Sequence, residues 1–172
     1  MQHSLVMTVI GPDRPGLVES IASAVSQHGG NWLESRMSHL GGQFAGILRI
    51  EFPAEKEAAI MASLNALETQ RLSVVIHLDM SPLKREDKPA STIEIVGHDR
   101  PGIVREISRV LAGHNVNVEE FSSEVVSAAM SGEAIFKAKA KLRLPNPALI
   151  ESLRQDLEKL ENDLIVDIQF QS

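Results

Sequence analysis

The chain has 172 residues, no cysteine, a formal net charge of −6 at pH 7 and only 3% aromatic residues. Without cysteine there is no disulfide framework and no thiolate metal site. The acidic balance argues against non-specific nucleic-acid binding, which needs clustered cations to displace counterions, and side chains for base stacking are scarce. No apolar run nears the roughly 18 residues a membrane span needs, and no basic, then apolar, leader opens the chain, so a cytoplasmic protein is expected.

In chain order, Ser4 to Ile10 is rich in β-branched and apolar residues and reads as a strand. Gly11-Pro12-Asp13-Arg14-Pro15-Gly16 then punctuates a tight loop. A helix is expected from about Gly16 to His28, with Val18, Ile21, Ala22 and Val25 inward at 3–4 residue spacing. Asn31 to Leu40 is the second strand, Gly41-Gly42 a hairpin turn, and Gln43 to Phe52 the third strand with Phe44, Leu48, Ile50 and Phe52 on one face. A second helix is expected from about Glu55 to Thr69 and a fourth strand from Ser73 to Asp79. Ser81 to Ala90, with two prolines and the charge run Lys84-Arg85-Glu86-Asp87-Lys88, breaks the pattern and reads as a linker.

The order then repeats. Gly97-His98-Asp99-Arg100-Pro101-Gly102 lies 86 residues after the first loop, and the same offset relates Val18 to Val104, Ile21 to Ile107, His28 to His114 and Asn31 to Asn117. Strands are expected at Ser91 to Val96, Asn117 to Val126, Ala134 to Leu144 and Leu164 to Phe170. The first helix of this copy turns Ile103, Val104, Ile107, Val110 and Leu111 inward; the second opens at Pro147. Aligning Phe52-Pro53 with Leu144-Pro145 leaves six extra residues in the second hairpin turn, around Ser127 to Glu133. One module is used twice, over residues 1–80 and 91–172 with the linker at 81–90. Each βαββαβ unit predicts an α+β, ferredoxin-like fold: a four-stranded antiparallel sheet with both helices on one face.

The repeated loop is the place for chemistry. It joins a strand to a helix, so helix-start N–H groups face outward, as a carboxylate or phosphate requires. Arg14 and Arg100 offer a bidentate clamp for a carboxylate, and Gly16 and Gly102 allow a close approach. The same residues also serve a purely structural loop: Asp13 and Asp99 suit helix N-caps, and proline and glycine shape turns.

The G-x-D-R-P-G-[LI]-V loop in a βαββαβ module resembles the ACT domain, a small amino-acid-sensing module whose ligands usually sit at interfaces between two modules. Two such modules with no other domain resemble the glycine cleavage system transcriptional repressor family. The resemblance covers almost all of the chain outside the linker. It implies ligand contacts from Asp13, Arg14, Pro15, Gly16 and Leu17, and from Asp99, Arg100, Pro101, Gly102 and Ile103. Asn31 and Asn117 match a polar position at the start of the second strand that many ACT sites use. It further implies a small amino acid, glycine foremost, as ligand, a homo-oligomer such as a dimer, no cofactor, and action on a LysR-type transcriptional activator without direct contact to nucleic acid.

Lys137, Lys139, Lys141 and Arg143 share one face of their strand. They read either as an anion- or partner-binding face or as a solvated row paired across the hairpin with Glu120 or Glu124. The matching face of the first copy, Ala45, Ile47, Arg49 and Glu51, is more apolar and suits packing against another module. The six histidines show no metal-ligand spacing. Three rivals stay open from the residues alone. A small ferredoxin-like hydrolase needs consecutive amide donors, two of which Pro12 and Pro15 remove. A pair of RNA-recognition modules needs aromatics where Ala45, Ile47, Lys137 and Lys139 stand. A sensor or scaffold for a separate metabolic enzyme needs that enzyme as a partner.

Overall fold

The structure, a computed structural model, describes residues 1–78, 90–129, 131–160 and 164–170. The chain divides into two compact units, Met1–Lys84 and Arg85–Ser172. The predicted linker, apart from Ala90, lies outside the described residues, as does the end of the fourth strand at Asp79.

The first unit runs β1 (Gln2–Pro12), α1 (Leu17–Ser26), β2 (Asn31–Leu40), β3 (Gln43–Pro53), α2 (Glu57–Ala66) and β4 (Ser73–Leu78). The second runs β5 (Ala90–His98), α3 (Ile103–Gly113), β6 (Asn117–Ser127), β7 (Ala134–Arg143), α4 (Ile150–Glu158) and β8 (Ile165–Phe170). The sheets have the order β2-β3-β1-β4 and β6-β7-β5-β8, with every pairing antiparallel. Each unit is thus the ferredoxin-like α+β module that the element order predicts. The expected second helix is broken into a 3₁₀ turn at Ala54–Lys56, α2, and a second 3₁₀ stretch at Leu67–Gln70. The fourth helix is likewise preceded by a 3₁₀ turn at Pro147–Leu149, where Asn146 Oδ1 accepts from Ala148 N at 2.9 Å.

Alternation along the strands builds the cores. Leu5, Met7 and Val9 of β1 and Leu48, Ile50 and Phe52 of β3 point to the helices, where Ile21, Val25, Ile60 and Leu64 meet them. Ile93, Ile95, Leu142, Ile107, Leu111, Leu153 and Leu157 do the same in the second unit. The expected inward positions hold at Ile21, Val25, Ile103, Ile107 and Leu111, but Leu17 rather than Val18 begins the first buried stripe, and Val18 and Val104 are 48% and 41% exposed. Leu17, Ile21, Ala24 and Val25 fall on one side of a 3.6-residue helix, and Val18 lies 100° round from Leu17.

The strands interrupt their regularity at the same place in both copies. The register shifts between Trp32 and Glu34 and between Val118 and Glu120. On the helix-free faces the copies diverge. In the first, Ile10, Ile47 and Val75 are each about half exposed, and Thr8 lies between Ile47 and Val75 in the register. In the second, Lys137 lies opposite Glu124 and Lys141 opposite Glu120. Lys139 also pairs with Glu94 at 2.8 Å and Arg143 with Glu119 at the bulge. The basic row is flanked by acids on both neighbouring strands.

Candidate ligand-binding loops

Each loop is fixed at both ends. Asp13 N donates to Gly42 O and Asp99 N to Ala134 O, both at 2.9 Å, which ties the loop to the start of the neighbouring strand. Gly16 and Gly102 then turn the chain with φ of 85° and 90°, in the left-handed region that a side chain disfavours. An added Cβ at either glycine would meet no atom of the chain within 4 Å, so within the module it is dihedral freedom that requires glycine. Leu17 and Ile103, only 3% and 4% exposed, anchor the helix starts in the cores. Their side chains are committed to the two cores.

Gly16 and Gly102 are themselves the N-cap residues, with no side-chain cap bond, so Asp13 and Asp99 are not the caps the sequence suggests. The left-handed glycine inserts a turn between the aspartate and the helix. The first ladder bonds are Ser20 N to Gly16 O and Glu106 N to Gly102 O. The preceding amides of α1 and α3 open the helix without an i−4 partner, at its partly positive end.

Close approach matters one strand-end earlier. A Cβ on Gly11 would stand 2.5 Å from the carbonyl oxygen of Arg71, and one on Gly97 2.6 Å from Leu164 Cδ1. Gly11 thereby lets the turn after Leu67–Gln70 lie against the end of β1 and the arginine of the loop. Arg14 Nη2 donates to Gln70 O at 3.2 Å and to Gln70 Oε1 at 3.4 Å. Arg100 Nη2 instead meets Glu106 Oε2 at 2.5 Å, which holds the Glu106 carboxyl below the usual carboxylate range. Arg14, Pro15 and Gly16, and Pro101 and Gly102, are exposed, as is Asp13.

The asparagines are elsewhere in their own modules. Asn31 pairs with Glu51 in the register and donates to its Oε1 at 3.1 Å. Glu51 pairs with Ser4, whereas the loop follows Pro12 at the other end of β1. Eight strand residues, about 27 Å, separate the two positions. Asn117 stands opposite Arg143, which pairs with Ala90 at the start of β5, again far from Asp99.

Two repeated histidines, read from sequence only as helix ends, tie the helices together. His28 Nε2 lies 2.7 Å from Ser63 Oγ and His114 Nε2 lies 2.9 Å from Asp156 Oδ2. Their recurrence at one offset was the available signal; the partners on α2 and α4 have no such offset. Among the described residues, no helix is long and apolar enough to cross a membrane.

Two family models for the ACT domain match this chain, one over residues 3–78 and one over residues 91–162. The chain belongs to the ACT-domain family. Its loops are the β1–α1 and β5–α3 connections of two ACT modules. Over 165 residues the chain is 27% identical to the glycine cleavage system transcriptional repressor of Escherichia coli K12, covering 95% of this chain and 86% of the relative. A UPF0237 protein of Methanopyrus kandleri is 34% identical over 79 residues, 45% of this chain and 81% of that protein. Among solved structures, a protein of unknown function from Galdieria sulphuraria superposes with a TM-score of 0.85 at 24% identity, with both chains fully covered. A protein assigned as a glycine cleavage system transcriptional repressor superposes with a TM-score of 0.72 at 18% identity, over 100% of this chain and 99% of the other. These two likenesses show the fold of the modules.

Proposed function

We propose that this chain is an amino-acid-responsive regulator, without a reaction of its own, that restrains transcription of a glycine cleavage operon by binding a LysR-type activator. The observation that carries the reading is the tandem of ACT modules along the length of a chain similar over 95% of its residues to a glycine cleavage repressor. The loops support it chemically. Each pairs helix-start amides with a guanidinium, a combination suited to an α-carboxylate. Asn31 and Asn117, being remote from their own loops, join the site only if the ligand bridges two modules, in one chain or in a homodimer. Glycine is the favoured ligand. Its binding shifts the population of module arrangements through a difference in affinity between them, and so alters the surface offered to the activator.

The test is reconstituted transcription from a glycine cleavage promoter with its LysR-type activator, with and without the chain and glycine. The expected result is a lower activated transcript with the chain present, a glycine-dependent change in that repression, and no shift of promoter DNA by the chain alone. Repression by direct DNA binding, or an activated transcript indifferent to the chain at every glycine level, would overturn the reading.

A further inference from the structure

The two loops share a sequence but hold their arginines in different company. Arg14 rests on two neutral oxygens of Gln70, at 3.2 and 3.4 Å. Arg100 is bound at 2.5 Å by the carboxylate of Glu106, which stands in the first turn of α3. The residue 86 positions earlier than Glu106 is Ser20, which carries no charge. The one acid in the first turn of α1, Glu19, is engaged by Ser23 Oγ at 3.0 Å. Among the described residues, the second loop therefore has a carboxylate on its guanidinium, beside the helix start, and the first has none.

We propose that Glu106 is a built-in stand-in for a ligand carboxylate that closes the second loop, leaving the first loop, through Arg14, as the amino-acid site of each chain. The inference rests on the functional reading above and assigns its two loops unequal roles. An amino acid arriving at Arg14 displaces long bonds to neutral acceptors. One arriving at Arg100 must displace a charge-assisted bond, the stronger kind. Glu106 is also tethered six residues from Arg100, so it competes at an effective concentration in the millimolar range or above. The bond to Arg100, with the nearby charges of Arg109 and Arg105, lowers the Glu106 carboxyl from its ordinary range.

The test is a thermal-shift screen of the twenty standard amino acids on the full chain, then calorimetric titration of glycine and of any other amino acid that shifts it. Wild type, Arg14→Ala, Glu106→Ala and Glu106→Ala/Arg100→Ala are compared, each checked as folded by circular dichroism. Expected are one site per chain in wild type, at least a tenfold loss of affinity in Arg14→Ala, two sites in Glu106→Ala, and a return to one in the double variant. Two equivalent sites in wild type, or a single site in Glu106→Ala, would overturn the inference while leaving amino-acid sensing intact. No binding by any folded variant would overturn the sensing reading along with it.

Discussion

At the scale of single residues, the repeat makes each copy a control for the other. Leu5 lines the first core, and its counterpart 86 residues on is Ser91. Ser91 is 1% exposed, and its hydroxyl has no hydrogen-bond partner among the described residues. A buried hydroxyl left unpaired costs more than the apolar group that replaces it. Ser91→Ala is expected to stabilise the second module by about 1 kcal/mol, read as a higher urea midpoint. A lower midpoint would show that the hydroxyl is satisfied. Gly16 makes the opposite case. Gly16→Ala creates no clash but forces alanine into the left-handed region, at a cost of about 1–2 kcal/mol in the first module's urea stability. Unchanged stability would mean that the loop relaxes out of that conformation.

At the scale of elements, the sequence carried the strands, the hairpins and the loop because their signals are local. Alternation, Gly41-Gly42 and the Asp-Arg-Pro-Gly run each occupy a few consecutive residues. What was not legible depends on distant partners or on geometry. Val18 and Leu17 are adjacent and both apolar, and which of them begins the buried stripe depends on how the helix seats on its sheet. Arg14 finds its acceptor 56 residues away, and no spacing rule announces it. The helix pairs are similar. His28 and His114 recur, yet one meets a serine and the other Asp156. The Asp156 carboxyl is held below its usual range, first by its bond to Lys159 and then by its bond to His114. A carboxyl with a lowered folded pKa contributes stability that is full above the unfolded value near 4 and lost as pH falls through the folded one. Asp156→Asn should therefore flatten the fall in urea stability between about pH 5 and pH 2 relative to wild type. An equally steep fall in the variant would assign the acid sensitivity to other carboxyls.

At the scale of the whole molecule, two separate cores follow from one sequence module used twice. Each unit closes its own four-stranded sheet and buries its own helix stripe. Residues 1–78 and residues 90–172, produced separately, are expected to unfold cooperatively in urea, though with modest stability at about 80 residues each. A half without a cooperative transition would show that it depends on its neighbour. The copies then diverge where function can differ. One helix-free face carries Ile10, Ile47 and Val75, and the other a basic row flanked by acids. One loop arginine is bound by a neutral residue and the other by a carboxylate. The central claim is that an amino acid binds at these loops and signals from them. Its most direct test is a glycine titration of the isotope-labelled chain followed by amide chemical shifts. The account predicts saturable shifts centred on Gly16 to Glu19, with the amides of Gly102 to Arg105 moving less. Amides at both loops that stay unmoved with glycine and with each other standard amino acid at saturating concentration, in a chain whose spectrum is that of a folded protein, would contradict it.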